Sequence, residues 1–353
     1  MIRAYITGIA AISPQNSFES DDFLDNPVFY NDNFLTAIDA DYKQYINPVQ
    51  IRRMSRVMKM GLSTAKKTIE KSGITSPDAI LTGTGYGCID DTEKFLLSIL
   101  ENKEQLLNPT AFMQSTHNAV SGIVALNLHC KNYNFTYVHR GFSLDHCILD
   151  AGLLLKEGKK NILIGAFEEN SRNHQTVTTR IGFWKKNKID TQELLKDNQA
   201  GSVSGEGAMF MMLSDQSTSE KTPFISGMEM LYKPKNKQEV ISRMFSFLER
   251  HHLQITDIDV VLLGVNGDPN MHDWDAIQNE DIFSQTSLLY YKHLCGEYYS
   301  SSSFALFLAS KILTKNYIPQ HIQINKVKPS EVKRVLVYNH YRGINHSFYL
   351  LGI

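Results

Sequence analysis

Apolar and polar positions along the chain follow two periods, and together these predict alternating helices and strands. Residues 52–72 carry apolar side chains at helical spacing and end at Gly73, which predicts a long amphipathic helix with a glycine C-cap. Residues 76–87 then form a short apolar run that ends in glycines, as a buried strand does at a tight turn. Residues 236–251 and 256–267 repeat this helix and strand, with Asn236 as the predicted N-cap. We interpret the repeat as a weak internal duplication.

Further runs of the same kinds fill the rest of the chain. Predicted strands cover residues 4–12, 134–138, 161–167 and 208–213, and predicted helices cover residues 116–130, 143–156 and 304–315. Residues 171–199 are polar and predict a loop, and residues 214–223 form the one obvious linker of low hydrophobicity. The prediction is an α/β protein with an N-terminal half at residues 1–215 and a C-terminal half at residues 222–353.

Composition narrows the classes of function. Hydrophobic residues make up 42% of the 353 residues, which is typical of a globular protein with a large buried core. Lys and Arg number 36 against 37 Asp and Glu, so no charge surplus points to nucleic acid or to a membrane surface. No segment is apolar over the roughly 18 residues that span a bilayer. A neutral partner surface is the expectation.

The cysteines and the N-terminus indicate a cytoplasmic protein. Four cysteines are scattered without a CxxC pair, which favours reduced thiols over a disulfide framework or a zinc site, and we expect neither a metal nor a cofactor. Residues 1–13 could be taken for a weak signal peptide, but they lack a full apolar region and a cleavage site. A first buried strand is the favoured interpretation.

Residues 134–169 hold the most informative pattern in the sequence. A short strand leads into His139-Arg140-Gly141, then into a helix with apolar residues at helical spacing, and then into a second strand. Such a strand, turn and helix can hold a nucleophile at a helix N-terminus, where free N–H groups stabilise a thiolate or an oxyanion. An ordinary β-α-β crossover has the same pattern, and the residues alone favour it.

Several segments, in order, resemble the β-ketoacyl-ACP synthases of the thiolase superfamily, above all the elongating type. The resemblance covers nearly the whole chain and is strongest in GSVSGEGAMFMML, at residues 201–213. The other segments are MIRAYITGIAAISP, RRMSRVMKMGLSTAKKTIEKSGI, ILTGTGYG, NPTAFMQSTHNAVSG and KEGKKNILIGAFEE. The resemblance implies a thiolase-like fold, with two similar halves in a layered α-β-α-β-α arrangement. It also implies an acyltransferase ancestry.

The catalytic motifs of that family do not carry over. Counting without gaps from Asp150-Ala151 and from the matching strand at residues 164–169 places the family's nucleophilic cysteine at Gly141. The segment that matches the family's His-Gly-Thr motif begins with Asn266. In the segment that matches Lys-Ser-x-x-Gly-His, Lys292 and Gly296 are retained but Glu297 stands at the histidine position.

These replacements remove the chemistry of condensation. The reaction needs a thiolate that carries the acyl chain and two neutral imidazoles that hold the enolate. Glycine has no nucleophile, and Glu297 would place an anion where negative charge must develop. The resemblance therefore implies a member that does not condense acyl groups alone.

Other residues near these motifs are pocket candidates. They are Arg140, Phe142, Cys295 and Tyr341. Arg140 could pair with Glu297 and neutralise the vacated pocket, whereas a surface arginine is the plainer alternative. Cys295 and Cys147 are expected to be buried structural thiols. The serines at positions 300–303 are expected to cap the following helix, and Glu169 and Glu206 to be structural hydrogen-bonding residues.

Three functions remain open from the sequence. The first is a non-catalytic partner of an active ketosynthase, similar to a chain-length factor, that binds an acyl chain or meets an acyl-carrier protein in fatty acid, polyketide or polyene synthesis. The second is a divergent acyltransferase or hydrolase that uses Cys295, Glu297 or a nearby histidine. The third is a homodimeric protein that binds acyl chains without chemistry.

Overall fold

A computed structural model describes residues 3–353, and its centre is one mixed sheet of ten strands. In chain order the strands are β1 (Ala4–Ile12), β2 (Ala79–Gly83), β3 (Tyr133–Tyr137), β4 (Asn161–Glu168), β5 (Gly207–Ser214), β6 (Phe224–Tyr232), β7 (Val260–Gly264), β8 (Ser287–Tyr290), β9 (Arg334–Tyr341) and β10 (Asn345–Gly352). Across the sheet they follow the order β8-β7-β9-β10-β6-β1-β5-β4-β2-β3.

That order contains the same arrangement twice. Numbering the strands of each half from one to five gives the spatial order 3-2-4-5-1 in both halves. In each half, strands 3, 2 and 4 of this order pair in parallel. The pairings of strand 4 with strand 5 and of strand 5 with strand 1 are antiparallel. The halves meet where β1 pairs with β6 at Ala4–Ile225 and Tyr5–Phe224. The fold therefore repeats as the sequence pattern predicts, while the bounds of the two halves as separate domains stay a prediction.

Residues 3–353 form seven helices of nine or more residues. They are α1 (Arg56–Ser72), α2 (Ile89–Glu101), α3 (Ala119–Asn127), α4 (Ser143–Lys156), α5 (Arg172–Arg180), α6 (Lys237–Arg250) and α7 (Ser302–Lys315). Shorter helical segments are Pro48–Ile51, Pro109–Gln114, His272–Asp275 and Lys292–Cys295. Two pairs of short strands, Asn31–Asp32 with Ile189–Asp190 and Phe34–Leu35 with Ser204–Gly205, lie outside the sheet.

The side chains sort into layers by strand alternation. Alternate residues of the strands, such as Ile162 and Ile164 in β4, join helices α4 and α7 in one central core. The intervening residues, such as Leu163, face α1 and α3 in a second core. In the other half, residues such as Leu263 pack with α6 in a third core. This is the layered α/β arrangement that the sequence predicts, and the fold class is confirmed.

Element ends differ from the sequence predictions where tertiary contacts override local pattern. Gly73 caps α1 in the left-handed conformation (φ 69°), and the side chain of Asn236 accepts from the backbone N–H of Glu239, as predicted. The predicted loop at residues 171–199 instead contains α5, whose N-terminus is capped by Ser171. The predicted serine cap of the last helix is wrong, because Ser301 makes no side-chain capping bond.

Across residues 3–353, no helix combines the length and the apolar character that crossing a bilayer requires. The same residues hold no group of three or more His, Cys, Asp or Glu side chains arranged to bind a metal ion. The cytoplasmic location remains a prediction.

Candidate functional site: a closed ketosynthase-like centre

The turn between β3 and α4 is held in place by one hydroxyl. Ser143, the first residue of α4, donates to the carbonyl of Thr84 at 2.9 Å, and its Oγ also lies 2.8 Å from the carbonyl of Arg140. The same oxygen accepts from the backbone N–H of His139 at 2.9 Å. Arg140 adopts a left-handed conformation (φ 51°), which is uncommon for a residue with a side chain. The sequence therefore builds the tight strand-to-helix elbow that it predicts.

Gly141 occupies this elbow in a position that has no space for a side chain. A Cβ atom on Gly141 would lie 2.9 Å from Cβ of Asn345 and 3.0 Å from Cβ of Tyr341. Tyr341 ends β9 and Asn345 begins β10, so the residues that flank the turn between these strands cover the elbow. A nucleophilic side chain at this position would displace that turn.

Asn266, Lys292 and Glu297 do converge, and they form part of a closed ring of polar contacts. Lys292 Nζ donates to Glu297 Oε2 at 2.6 Å and to the carbonyl of His340 at 2.8 Å. Asn266 Nδ2 donates to the same Glu297 oxygen at 3.1 Å. Asp275 completes the ring, since its carboxylate contacts His340 Nε2 at 2.9 Å and accepts from the backbone N–H of Asn266 at 3.2 Å.

The ring leaves little for a substrate to bind. Lys292 is fully buried, Glu297 and Asn266 are each 1% exposed, and Ser301 occupies the second oxygen of Glu297 at 3.0 Å. A buried ion pair is tolerated when further hydrogen bonds satisfy its remaining groups, as they do here. The arrangement stabilises fixed charges, whereas condensation needs donors aimed at charge that develops during reaction.

Aromatic side chains fill the space beside the elbow. Ring centroids lie 4.6 Å apart for Tyr86 and Tyr299 and 4.4 Å apart for Tyr299 and Tyr341. His174 packs against Tyr86 at 4.2 Å. Tyr341 is 4% exposed and packs within this aromatic cluster.

The two nearby thiols are buried and protonated. Cys295 is fully buried, and burial followed by the charge of Glu297 raises its pKa well above the usual range, although Lys292 opposes this. Burial likewise raises the pKa of Cys147, whose Sγ contacts the carbonyl of Ser143 at 3.3 Å. Neither group is a thiolate at neutral pH, and thiolates are the nucleophilic form.

The proposed pairing of Arg140 with Glu297 is wrong. Glu297 takes its cation from Lys292, which follows the short strand β8, and Arg140 is exposed on the elbow. Phe142 is buried next to His139, at 5.8 Å between ring centroids. The role of Arg140, Phe142, Cys295 and Tyr341 as acyl-pocket residues stays a prediction.

Sequence reasoning missed His340, Asp275 and Ser301, although these residues complete the ring. A single histidine in an apolar strand and an aspartate in a polar loop carry no distinctive spacing. The family motifs gave no signal either, because none of these three residues belongs to them. Glu169 and Glu206 do bind backbone N–H groups, of Val57 and Ala37 respectively.

Comparison with known proteins shows what part of this chain is similar to. Residues 33–182 match the N-terminal domain of the β-ketoacyl synthases. No curated protein sequence matches the chain. The resemblance to β-ketoacyl synthases is thus confirmed.

Solved structures share the fold of this ketosynthase-like chain along its whole length. A β-ketoacyl synthase from Burkholderia phymatum STM815 has a TM-score of 0.78 and 15% identity, covering 100% of this chain and 99% of its own. The ishigamide ketosynthase/chain length factor has a TM-score of 0.77 and 16% identity, covering 99% of each chain. The ketosynthase ApeO in complex with its chain length factor ApeC, from Xenorhabdus doucetiae, has a TM-score of 0.76 and 14% identity, covering 100% of this chain and 98% of its own.

Proposed function

We propose that the chain is a non-condensing, chain-length-factor-like subunit that pairs with an active ketosynthase in fatty acid, polyketide or polyene synthesis. The observation that carries the proposal is the closure of the elbow. Gly141 lacks a nucleophile, and Asn345 and Tyr341 occupy the space that one would need. Two of the similar structures contain a ketosynthase together with a chain length factor, which supports this kind of partner.

A second observation supports pairing. Strand β3 is an edge of the sheet, and its side chains Tyr133 and Phe135 are each 45% exposed. On the neighbouring α4, Leu149 is 44% and Leu153 is 48% exposed. Large apolar patches beside an unpaired strand favour association with another protein surface. The occupant that we propose is the ketosynthase partner.

The decisive experiment is co-expression with a cysteine-containing ketosynthase encoded beside this chain. The proposal predicts a stable 1:1 heterodimer by size-exclusion chromatography with light scattering, and chain elongation from acyl-carrier protein substrates only by the pair. Formation of homodimers alone would contradict it.

A matched pair of substitutions shows which of the two subunits supplies the catalytic cysteine. Replacing the partner's nucleophilic cysteine should abolish elongation by the pair, while Cys295→Ala in this chain should leave it unchanged, because Cys295 is buried and protonated. Mass spectrometry of the isolated chain after incubation with acyl-CoA should show no acyl adduct. An adduct, or loss of activity in Cys295→Ala, would favour a divergent acyltransferase or hydrolase instead.

A further inference from the structure

A polar crevice of about 220 Å³ lies on the seam between the two halves. Its walls come from four parts of the chain: β1 at residues 6–9, the end of α1 at Lys71, residues 218–223 of the linker, and α7 at Ser310, Lys311 and Thr314. Helix α7 starts beside the closed ring and rises about 1.5 Å per residue, so this stretch lies roughly 12–18 Å along the helix from its start. The crevice is therefore separate from the ketosynthase-like centre.

The charge of the crevice is positive. Lys71, Lys221 and Lys311 line it, and none of its lining residues is acidic. Asp21 lies outside the lining and pairs with Lys311 at 3.0 Å. Within residues 3–353, neither Lys71 nor Lys221 has a carboxylate within 4.0 Å, and Lys71 Nζ donates to the carbonyl of Ile9 at 3.2 Å.

The surroundings of Lys71 disfavour its protonated, charged form. Partial burial, and then the neighbouring ammonium of Lys311, lower the pKa of Lys71 to about 8, with Lys67 contributing in the same direction. The carboxylates of Asp21 and Glu19 oppose this. An ammonium group in this position gains from any anion that enters the crevice.

Hydroxyl groups complete the donor set. The linker is folded around Thr222, whose Oγ1 accepts from the backbone N–H groups of Thr218 at 3.2 Å and Ser219 at 2.8 Å. Thr7 and Ser310 add hydroxyl-bearing side chains to the opposite walls, where Thr7 Oγ1 lies 3.1 Å from Ser214 Oγ. The neighbouring carboxylate of Asp21 is held by Lys311 and Lys315, and the ammonium and hydroxyl groups that line the crevice match the acceptor oxygens of a phosphate group.

We propose that this seam crevice binds a phosphate group, either as inorganic phosphate or as a phosphomonoester. The occupant would bridge the linker, α1 and α7, and so would tie the two halves together. The inference does not depend on the proposed pairing with a ketosynthase, since no residue of the edge strand or the closed ring takes part.

Isothermal titration calorimetry on the full chain in phosphate-free buffer tests the site, with inorganic phosphate in one arm and glycerol 3-phosphate in the other. Binding of either should be accompanied by a rise in Tm. Lys71→Gln should weaken binding about tenfold, the effect of losing one charge-assisted contact, and Lys221→Gln should weaken it less. Lys159→Gln is the matched control, since Lys159 is an exposed lysine away from the crevice, and it should bind like the wild type.

The two arms separate the sources of the phosphate. Tighter binding of glycerol 3-phosphate indicates a phosphomonoester ligand, and equal or tighter binding of inorganic phosphate indicates the free ion. Absence of binding in both arms overturns the proposal. Binding that Lys71→Gln leaves unchanged, with an unaltered Tm in the absence of ligand, overturns it equally.

Discussion

The two halves share one strand order, but the outermost strand is buried in one half and exposed in the other. In the C-terminal half, the outermost strand β8 is buried along its whole length. Residues that follow α7 cover it: the N–H of Ile324 donates to the carbonyl of Leu288 at 2.8 Å, and the N–H of Leu288 donates to Asn325 Oδ1 at 3.0 Å. In the N-terminal half, the equivalent strand β3 is exposed and rich in aromatic residues.

The difference shows which half covers the outer edge of its own part of the sheet and which half leaves that edge exposed. The C-terminal half completes its own sheet and contributes all five residues of the closed polar ring, so the charged groups of the ring are satisfied within this half. The N-terminal half leaves a strand edge with free backbone groups and apolar side chains, which natural proteins normally cover. Association through β3 is the physical expectation.

The largest effect is expected from opening the ring in the C-terminal half. Lys292→Met leaves Glu297 buried without its cation, and breaking a buried pair in this way costs about 3–5 kcal/mol of unfolding free energy. Urea denaturation followed by circular dichroism measures the change. Lys94→Met is the matched control, because Lys94 pairs with Asp90 on an exposed helix face and should cost at most about 0.5 kcal/mol. Equal losses of unfolding free energy in the two variants would mean that the buried ring stabilises the fold no more than an exposed ion pair does.

A substitution at the exposed edge of the N-terminal half should change the affinity for the partner rather than the free energy of unfolding. Phe135→Lys places a charge in the middle of β3, and we expect association with the ketosynthase partner to weaken roughly 10- to 100-fold while the unfolding free energy stays nearly constant. Biolayer interferometry measures the affinity. Val49→Lys, at another exposed apolar residue, should leave the affinity unchanged. If both variants bind like the wild type, β3 is not the interface.

The elbow offers a more local test of the N-terminal half. Gly141→Cys restores the family's nucleophile, but its Cβ must displace Asn345 and Tyr341, so we expect a loss of about 1–3 kcal/mol. The same substitution at Gly152 in α4 meets no atom within 4 Å and serves as the control, with little or no loss. Intact-protein mass spectrometry with acyl-CoA should detect no acyl-enzyme in Gly141→Cys. Stable protein with a full acyl adduct would show that the elbow is open.

Sequence reasoning captured the features that depend on local pattern and on ordered motifs. The long helix α1 and the elbow at residues 139–143 followed from residues close together in the chain, whereas the pairing of Lys292 with Glu297 was not predicted. The ring partners His340 and Asp275 are 65 positions apart and meet only after β9 and the short helix at residues 272–275 have packed. Their pairing is a product of topology, which periodicity does not encode.

Capping shows the same limit on a smaller scale. The serines before α7 have the composition of an N-cap cluster, but Ser301 donates to the buried carboxylate of Glu297 instead. A hydrogen bond to an ionised carboxylate is stronger than the bond that an N-cap hydroxyl accepts from a backbone N–H, so the carboxylate sets the orientation of this hydroxyl. The local rule was overridden because the ion pair lies within reach.

The smallest predicted effect is on the pH dependence of stability and concerns His293, a buried residue of the C-terminal half. His293 is fully buried, stacks on Tyr290 at 4.0 Å, and neither of its ring nitrogens has a hydrogen-bond partner among residues 3–353. Burial, and then the nearby His321, lower the pKa of His293 to about 3. In the unfolded chain a histidine titrates near 6.5. Between about pH 3 and pH 6.5 the unfolded state therefore binds more protons, and the contribution of His293 to stability falls as the pH falls.

His293→Phe keeps the aromatic stacking and removes the proton-binding site. The variant should match or slightly exceed the wild type in stability at pH 7. Below pH 6.5 it should lose stability less steeply, by up to about 1.4 kcal/mol per pH unit. Urea denaturation of both proteins between pH 4.5 and pH 7.5 gives the difference directly, because the contributions of all other titrating groups cancel. Parallel curves for the two proteins would contradict this prediction, because they would show that His293 binds its proton equally well in the folded and the unfolded state.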